Sequence, residues 1–173
     1  MYTIVLARAR DLSELPAIEV AAARLLIGHA PDSVLNETTS PDELQRAQQL
    51  GHLWVALHDE RPVGFAHVRI LEPCHAHLEE IDVHPKYGRQ GIGKQLVMAV
   101  CCWAARQGYQ SVTLTTFRAV PFNMPFYSSL GFECIPETSI TAALRAVIAD
   151  ETRRGLDPSK RAVMRWRCRP SDV

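Results

Sequence analysis

The apolar positions along the chain alternate between two periods. Residues 2–8 hold a short apolar run around Ile4, Val5 and Leu6 and predict a strand. Over 12–27 the period lengthens. Leu15, Ile18, Ala22 and Leu25 recur three or four apart, Ser13 and Glu14 stand at the start, and Gly28 closes the run. That pattern predicts a helix. Residues 29–39, with Pro31 and Asn36, read as a loop. Ser40 as cap, Pro41 in the first helical position and Glu43 three residues after the cap predict a second helix, ending at Gly51.

Residues 53–57 and 63–71, joined by a turn at 59–62, predict a hairpin, with Gly64 marking a bulge or a close contact. Residues 77–83 predict another strand. Simple alternation puts His77, Glu79, Ile81 and Val83 on one face and Leu78, Glu80 and Asp82 on the other. A helix follows from 90 to 106, closed by Gly108. Residues 111–117 predict a strand, Asn123 caps a short helix ending at Gly131, and 132–135 extend into a further strand. A helix over 140–154 and a strand over 162–168 complete the chain. The fold class expected from this order is α/β (mixed α+β), a sheet layered with helices and forming one domain over 1–173.

Charge and length narrow the partners. Nineteen basic and nineteen acidic residues leave no net charge, so no global field draws in nucleic acid or an anionic membrane. The start lacks the basic segment and long apolar run of a secretory signal. The longest strongly apolar run, 96–105, is half a membrane span. Five cysteines at irregular spacing are expected as thiols in a reducing cytoplasm, with Cys101 and Cys102 in a core helix. Cys74, His75, His77 and His84 are metal-ligand types, but no second pair completes a site, so no metal is expected.

The most informative segment is Ile81-Asp82-Val83-His84-Pro85-Lys86-Tyr87-Gly88-Arg89-Gln90-Gly91-Ile92-Gly93-Lys94. A strand enters a turn with three glycines and a helix begins behind it. Such a turn presents backbone N–H groups and a helix N-terminus to an anion such as pyrophosphate, with Arg89 and Lys94 adding positive charge. The glycines alone fit a solvated chain reversal equally well. No Gly-Lys-Ser/Thr follows, so this is not a P-loop. The next strand ends Thr115-Thr116-Phe117, without the acidic residue that a dinucleotide fold uses to hold ribose.

These residues resemble the GNAT superfamily of acetyl-CoA-dependent N-acetyltransferases. The family motif Gln/Arg-x-x-Gly-x-Gly/Ala, after a strand ending Val-x-Pro, is matched by Val83-His84-Pro85 and then Gly88-Arg89-Gln90-Gly91-Ile92-Gly93. Gly88 occupies the Gln/Arg slot and the arginine comes one place later. Downstream, Asn123-Met124-Pro125-Phe126-Tyr127-Ser128-Ser129-Leu130-Gly131-Phe132 is similar to the family's Tyr-x-x-x-Gly-Phe segment, in a variant familiar from a bacterial branch. The family's asparagine, seven residues before the tyrosine, is here Val120, which leaves Asn123 as the candidate contact to the pantetheine arm. The resemblance spans residues 2–168. It implies a GNAT-like acyltransferase fold with a central, mostly antiparallel sheet.

The resemblance also implies site residues. Acetyl-CoA would lie on Ile81 and Val83 and on Gly88, Arg89, Gln90, Gly91, Ile92, Gly93 and Lys94. The Val83 amide would meet the acetyl carbonyl. Glu79, four residues earlier, is the first candidate base, with His77 as its substitute or relay, and Tyr127 would protonate the leaving thiolate. A base is needed because an amine of pKa about 10.4 is neutral only about once in 2,500 at pH 7. The expected activity is direct transfer from acetyl-CoA to a primary amine in a ternary complex, with a small-molecule acceptor walled by 12–51 and 136–160. Neither segment is densely acidic, so a polycation such as a histone tail or a long polyamine is not the expected acceptor. Acetylation of a protein N-terminus or lysine, or a non-catalytic acyl-CoA sensor, are the alternatives. The 140–154 helix is left as a lid or as a homodimer surface.

Overall fold

The computed structural model describes residues 1–169; the last four residues of the expected domain, 170–173, lie outside them. Among the described residues, seven strands form one sheet: β1 (Tyr2–Leu6), β2 (Leu53–His58), β3 (Arg61–Glu72), β4 (His75–Val83), β5 (Ser111–Phe117), β6 (Glu133–Cys134) and β7 (Arg161–Arg167). Their order across the sheet is β1-β2-β3-β4-β5-β7-β6. Every neighbouring pair is antiparallel except β4 with β5. That parallel pair needs a crossover, and α4 (Ile92–Arg106) supplies it. The expected mixed α/β class, with a mostly antiparallel sheet, is what forms.

Each face of the sheet buries its own helices. Alternation along β2 sends Trp54 and Ala56 to one face and Leu53, Val55 and Leu57 to the other, so this strand is apolar throughout. The first face packs on Leu96, Val97, Val100 and Cys101 of α4. The second packs on Leu15 and Ile18 of α1 (Leu15–Ala23) and on Leu44 and Ala47 of α3 (Pro41–Gln49). As the sequence predicts, Ser40 Oγ accepts from the Glu43 amide at 3.2 Å and Pro41 opens α3.

Several boundaries differ from the sequence expectation. The first helix begins at Leu15 rather than 12, because Pro16 has no N–H and fits only the first turn. Ser13 is not its cap; a tighter 3₁₀ turn over Ala9–Glu14 precedes it, held by the Arg8 amide donating to Asp11 Oδ2 at 2.8 Å. The 29–39 loop contains a single helical turn, α2 (Asp32–Leu35), after Pro31. The strand expected over 132–135 shrinks to the two residues of β6. Asn123 stands before α5 (Met124–Ser129) but does not cap it with its side chain.

One difference reorganises the site. The β3–β4 register shifts between His67 and Val68, so that Val68 opposes Leu78 while His67 opposes Glu80. Glu79 is the extra residue of a β-bulge. A bulge resets the alternation. Ala76 and Leu78 before it, and Ile81 and Val83 after it, all pack toward α4. The expected sharing of a face by Glu79, Ile81 and Val83 is therefore wrong, and Glu80 and Asp82 are not turned away from Glu79.

Candidate active site

The site begins as a fork between two strands. β4 and β5 pair only through His75, Ala76 and His77 with Ser111, Val112 and Thr113. Beyond that they part, although β5 stays paired with β7 along its whole length. His77 sits where the strands separate. It is buried, and its Nδ1 lies 2.9 Å from Thr113 Oγ1. Thr113 Oγ1 donates to the Ala76 carbonyl at 3.4 Å, which leaves His77 Nδ1–H as the donor in the shorter bond. On the other edge of β4, the His84 amide donates to Val63 O at 2.9 Å. Antiparallel alternation then turns Asp82 toward β3 as well, and directs the Ile81 and Val83 amides into the fork.

At the open end of the fork lies the glycine turn. Arg89 (φ 61°) and Gly91 (φ 78°) both have left-handed backbones, and Gly91 stands directly before α4. A Cβ at Gly91 would meet nothing within 4 Å, so the cradle is open. The first intrahelical bond runs from Gln95 N to Gly91 O, which leaves the preceding amides, Ile92 to Lys94, for an outside acceptor. A Cβ at Gly93 would lie 3.6 Å from the Phe126 ring and 3.9 Å from Val83 Cγ2, so this end of the helix approaches both closely. Arg89, Gln90 and Lys94 are exposed at the rim, while Gly88 is half-buried. Asn123 Nδ2 donates to Thr116 Oγ1 at 2.9 Å, and its Oδ1 is a buried acceptor with no partner among the described residues. The nest suits a pyrophosphate and the orphaned amide oxygen suits an amide donor, so the turn and α5 fit coenzyme A.

On the other face of the sheet is a cavity of about 370 Å³. Glu79, Glu80 and Asp82 of β4 line it, together with Glu19 of α1 and Glu43 of α3. The mouth is formed by Glu37, and by Asp150 and Arg154 at the end of α6 (Ala142–Arg153). Carboxylate oxygens of Glu19, Glu80 and Asp82 all lie within 4.8 Å of one another. Glu19 is held by the Thr39 amide, 2.9 Å from Oε2, and by Thr39 Oγ1 at 3.1 Å. Burial and the charges of Glu19 and Glu79 push the Glu80 carboxyl up to about 7. Burial, then Glu80, push Asp82 well above the ordinary carboxylate range. Glu79 is raised by burial against the opposing pull of Arg69, whose Nη1 lies 3.3 Å from its Oε1.

The sequence missed this acid cluster. No segment is densely acidic, but four elements far apart in the chain each contribute one to three carboxylates. From 12–51 the cavity takes Glu19, Ala23, Leu26 and the residues around Thr39, and from 136–160 it takes Asp150 and Arg154. Of the 140–154 helix, only the C-terminal end, Asp150 and Arg154, reaches this cavity. Arg161 reaches from β7 to Glu151 of α6 at 2.7 Å, and Arg154 pairs with Glu37 across the mouth.

His77 does not line the cavity. Burial, then Arg69, lower its pKa to about 4, so the ring is neutral, and its Nε2 lies 3.8 Å from Glu79 Oε2. Tyr127 is buried between Phe126 and Phe132, with ring centroids at 5.1 and 5.7 Å. Burial, then the charges of Glu80 and Asp82, push its phenol far above its ordinary value. A phenol raised in this way keeps its proton and can donate a hydrogen bond.

Comparisons with known proteins agree with this architecture. The model of the acetyltransferase (GNAT) family matches residues 23–132, more than half of the chain. The PaiA N-acetyltransferase of Thermoplasma acidophilum, solved with coenzyme A, is 18% identical; the match covers 96% of this chain and 99% of that one, with a TM-score of 0.74. A ribosomal-protein alanine N-acetyltransferase of Escherichia coli is 19% identical over 97% of this chain and 94% of that one, with a TM-score of 0.67. The N-acetylglutamate synthase of Neisseria gonorrhoeae, solved with coenzyme A and N-acetyl-glutamate, is 15% identical over 98% of this chain and 35% of that longer one, with a TM-score of 0.71. At these identities the structures share the fold alone, and the names of the second and third differ in the acceptor. The family match, the forked strands and the open glycine turn converge on one conclusion: the chain belongs to the GNAT family and is an acetyl-CoA-dependent acetyltransferase.

Proposed function

We propose that the protein moves acetyl from acetyl-CoA to a primary amine of a small molecule, by direct transfer with both substrates bound. One observation carries this reading: the fork has an anion-binding turn at its open end and an acid-lined cavity on one face of the strand that borders it. Acetyl-CoA, when bound, supplies a thioester carbonyl. The Ile81 and Val83 amides face the fork, and Val83 donates to the carbonyl oxygen as negative charge develops there. Tyr127 donates a hydrogen bond to the sulfur as the C–S bond breaks, and the departing thiolate takes up the second proton that the nitrogen sheds on becoming an amide.

Glu80 is the base in this proposal, in place of Glu79. Its raised pKa matches the task of taking a proton from an ammonium near neutral pH. Glu79, at the bulge and paired with Arg69, holds the amine at the cavity wall, and His77 acts as a positioning residue behind it. The test is release of coenzyme A thiol, followed continuously with acetyl-CoA and a panel of primary amines. Amine-dependent release with no acetyl-enzyme burst supports direct transfer. Tight binding of acetyl-CoA without any turnover would leave the sensor alternative and refute the reading.

A further inference from the structure

Opposite sides of α6 face two different cavities. A helix turns by about 100° per residue, so Asp150 and Arg154 fall on the side of the acid-lined cavity and Arg145, Ile148 and Ala149 on the other, while Leu144 and Glu151 are buried. The cavity on that other side holds about 640 Å³, within the range of small-molecule sites. Part of its lining is apolar, from Ile148 and the buried Ile135 and Val163. Its charge is the reverse of its neighbour's: Arg118, Arg145 and Arg161 line it, against one acid, Glu137. In a chain without net charge this is a local excess of cations.

The three arginines are held differently. Arg161 is engaged with Glu151 at 2.7 Å and with Thr115 Oγ1 at 3.2 Å, its guanidinium 4.5 Å from the centre of the Phe117 ring. Arg145 donates to Glu137 Oε1 at 2.8 Å in an exposed pair, which contributes little and exchanges readily. Arg118 follows β5. Its amide donates to Lys160 O at 2.9 Å, and its side chain has no partner among the described residues. A guanidinium fixed at its backbone, uncommitted at its head and beside an apolar lining suits a carboxylate with a hydrocarbon body.

We propose that this cavity is a second ligand site, for a small carboxylate with an apolar body, and that its ligand acts on amine binding through α6. Arg118 takes the carboxylate, Arg145 joins it by leaving Glu137, and the hydrocarbon lies on Ile135, Ile148 and Val163. The site itself does not depend on the acetyltransfer reading; its effect on the amine does. A ligand held between Arg118, at the end of β5, and Arg145 on α6 fastens the helix to the sheet. The far side of the same helix leads to Arg154, which reaches Glu37 across the mouth of the acid-lined cavity. Fastening α6 preorganises that wall, so the amine binds more tightly, and by linkage the amine tightens the carboxylate.

The experiment is calorimetry with hexanoate as the probe, against acetate and hexanol. Hexanoate should bind at least about tenfold more tightly than either, since acetate has the charge without the chain and hexanol the chain without the charge. Arg118→Gln should weaken hexanoate several-fold, and Glu137→Gln, which frees Arg145, should tighten it. Both residues are exposed, so the opposite signs separate a charge contact from general damage. Saturating acetyl-CoA should leave hexanoate bound, and amide exchange over 142–153 should slow in its presence. In the thiol-release assay hexanoate should lower KM for an active amine several-fold with kcat nearly unchanged. Equal affinity for hexanol, indifference to both substitutions, or displacement by acetyl-CoA overturns the site. Binding that alters neither exchange in α6 nor KM overturns the action through the helix. If no amine turns over, the acetyltransfer reading fails, and calorimetry and exchange still decide this site.

Discussion

Glu80→Gln sets the stability of the fold against the needs of the site. In the unfolded chain the carboxyl titrates near 4.5, and in the folded protein it is pushed up to about 7. Below the lower value it is protonated in both states and costs nothing. As pH rises from 4.5 toward 7 the unfolded state gives up this proton and the folded state keeps it, so stability falls across the window. Above pH 7 the full cost stands, about 3 kcal/mol at 1.36 kcal/mol per pKa unit. Glutamine has the same shape and no charge to bury. Urea unfolding should place the variant within about 1 kcal/mol of wild type at pH 5 and about 2–3 kcal/mol above it at pH 8. For a chain of this size that is a rise in Tm of roughly 5–10 °C at the higher pH. Turnover should drop by about 10²–10⁴, with acetyl-CoA affinity unchanged. A difference in stability that is the same at pH 5 and pH 8 would refute the reasoning, whatever its size.

Other substitutions test the remaining parts. Tyr127→Phe keeps the ring between Phe126 and Phe132 and should lower kcat by about tenfold or more with little change in acetyl-CoA binding; a rate within twofold of wild type would remove its role. Glu79→Gln should raise KM for the amine more than it lowers kcat, whereas a collapse of kcat that recovers at high pH would return the base role to Glu79. Gly91→Glu places an anion in the cradle and should weaken acetyl-CoA at least tenfold by calorimetry, about 1.4 kcal/mol, beyond the strain of its left-handed backbone. Gly64→Ala puts a Cβ 2.8 Å from the Asp82 carbonyl and 3.2 Å from Val83 Cγ2, so it should cost about 1–3 kcal/mol of stability and slow turnover by displacing the Val83 amide; an unchanged Tm would show that β3 can yield there.

Much of the fold was legible because its signals are local. Ser40 and Pro41 announce α3, and the apolar doubling of β2 follows from helices on both faces. The glycine turn was legible for the same reason, since Arg89 and Gly91 adopt the left-handed angles that such a turn requires. The face of Glu80 and Asp82 was not. A strand read by strict alternation carries no mark of a bulge, and the slip at Glu79 appears only when β3 fixes the register. The acid cluster escaped for a related reason. Glu19, Glu43, Glu80 and Asp150 are far apart in the chain, and only the packing of α1, α3 and α6 around β4 makes them neighbours.

The short pairing of β4 with β5 has a mechanical consequence. Within the sheet, three residue pairs join a half-sheet of β1–β4 to a half-sheet of β5–β7, with α4 crossing behind them. Past that seam the amides of Ile81 and Val83 have no β-strand opposite them, so in the free protein they should exchange with deuterium faster than those of β2 or β3. A pantetheine arm laid in the gap acts as a substitute strand, with amides that cross-link the two halves. Deuterium uptake along 81–83 then becomes a direct gauge of occupancy, and the donor stiffens the molecule as it binds.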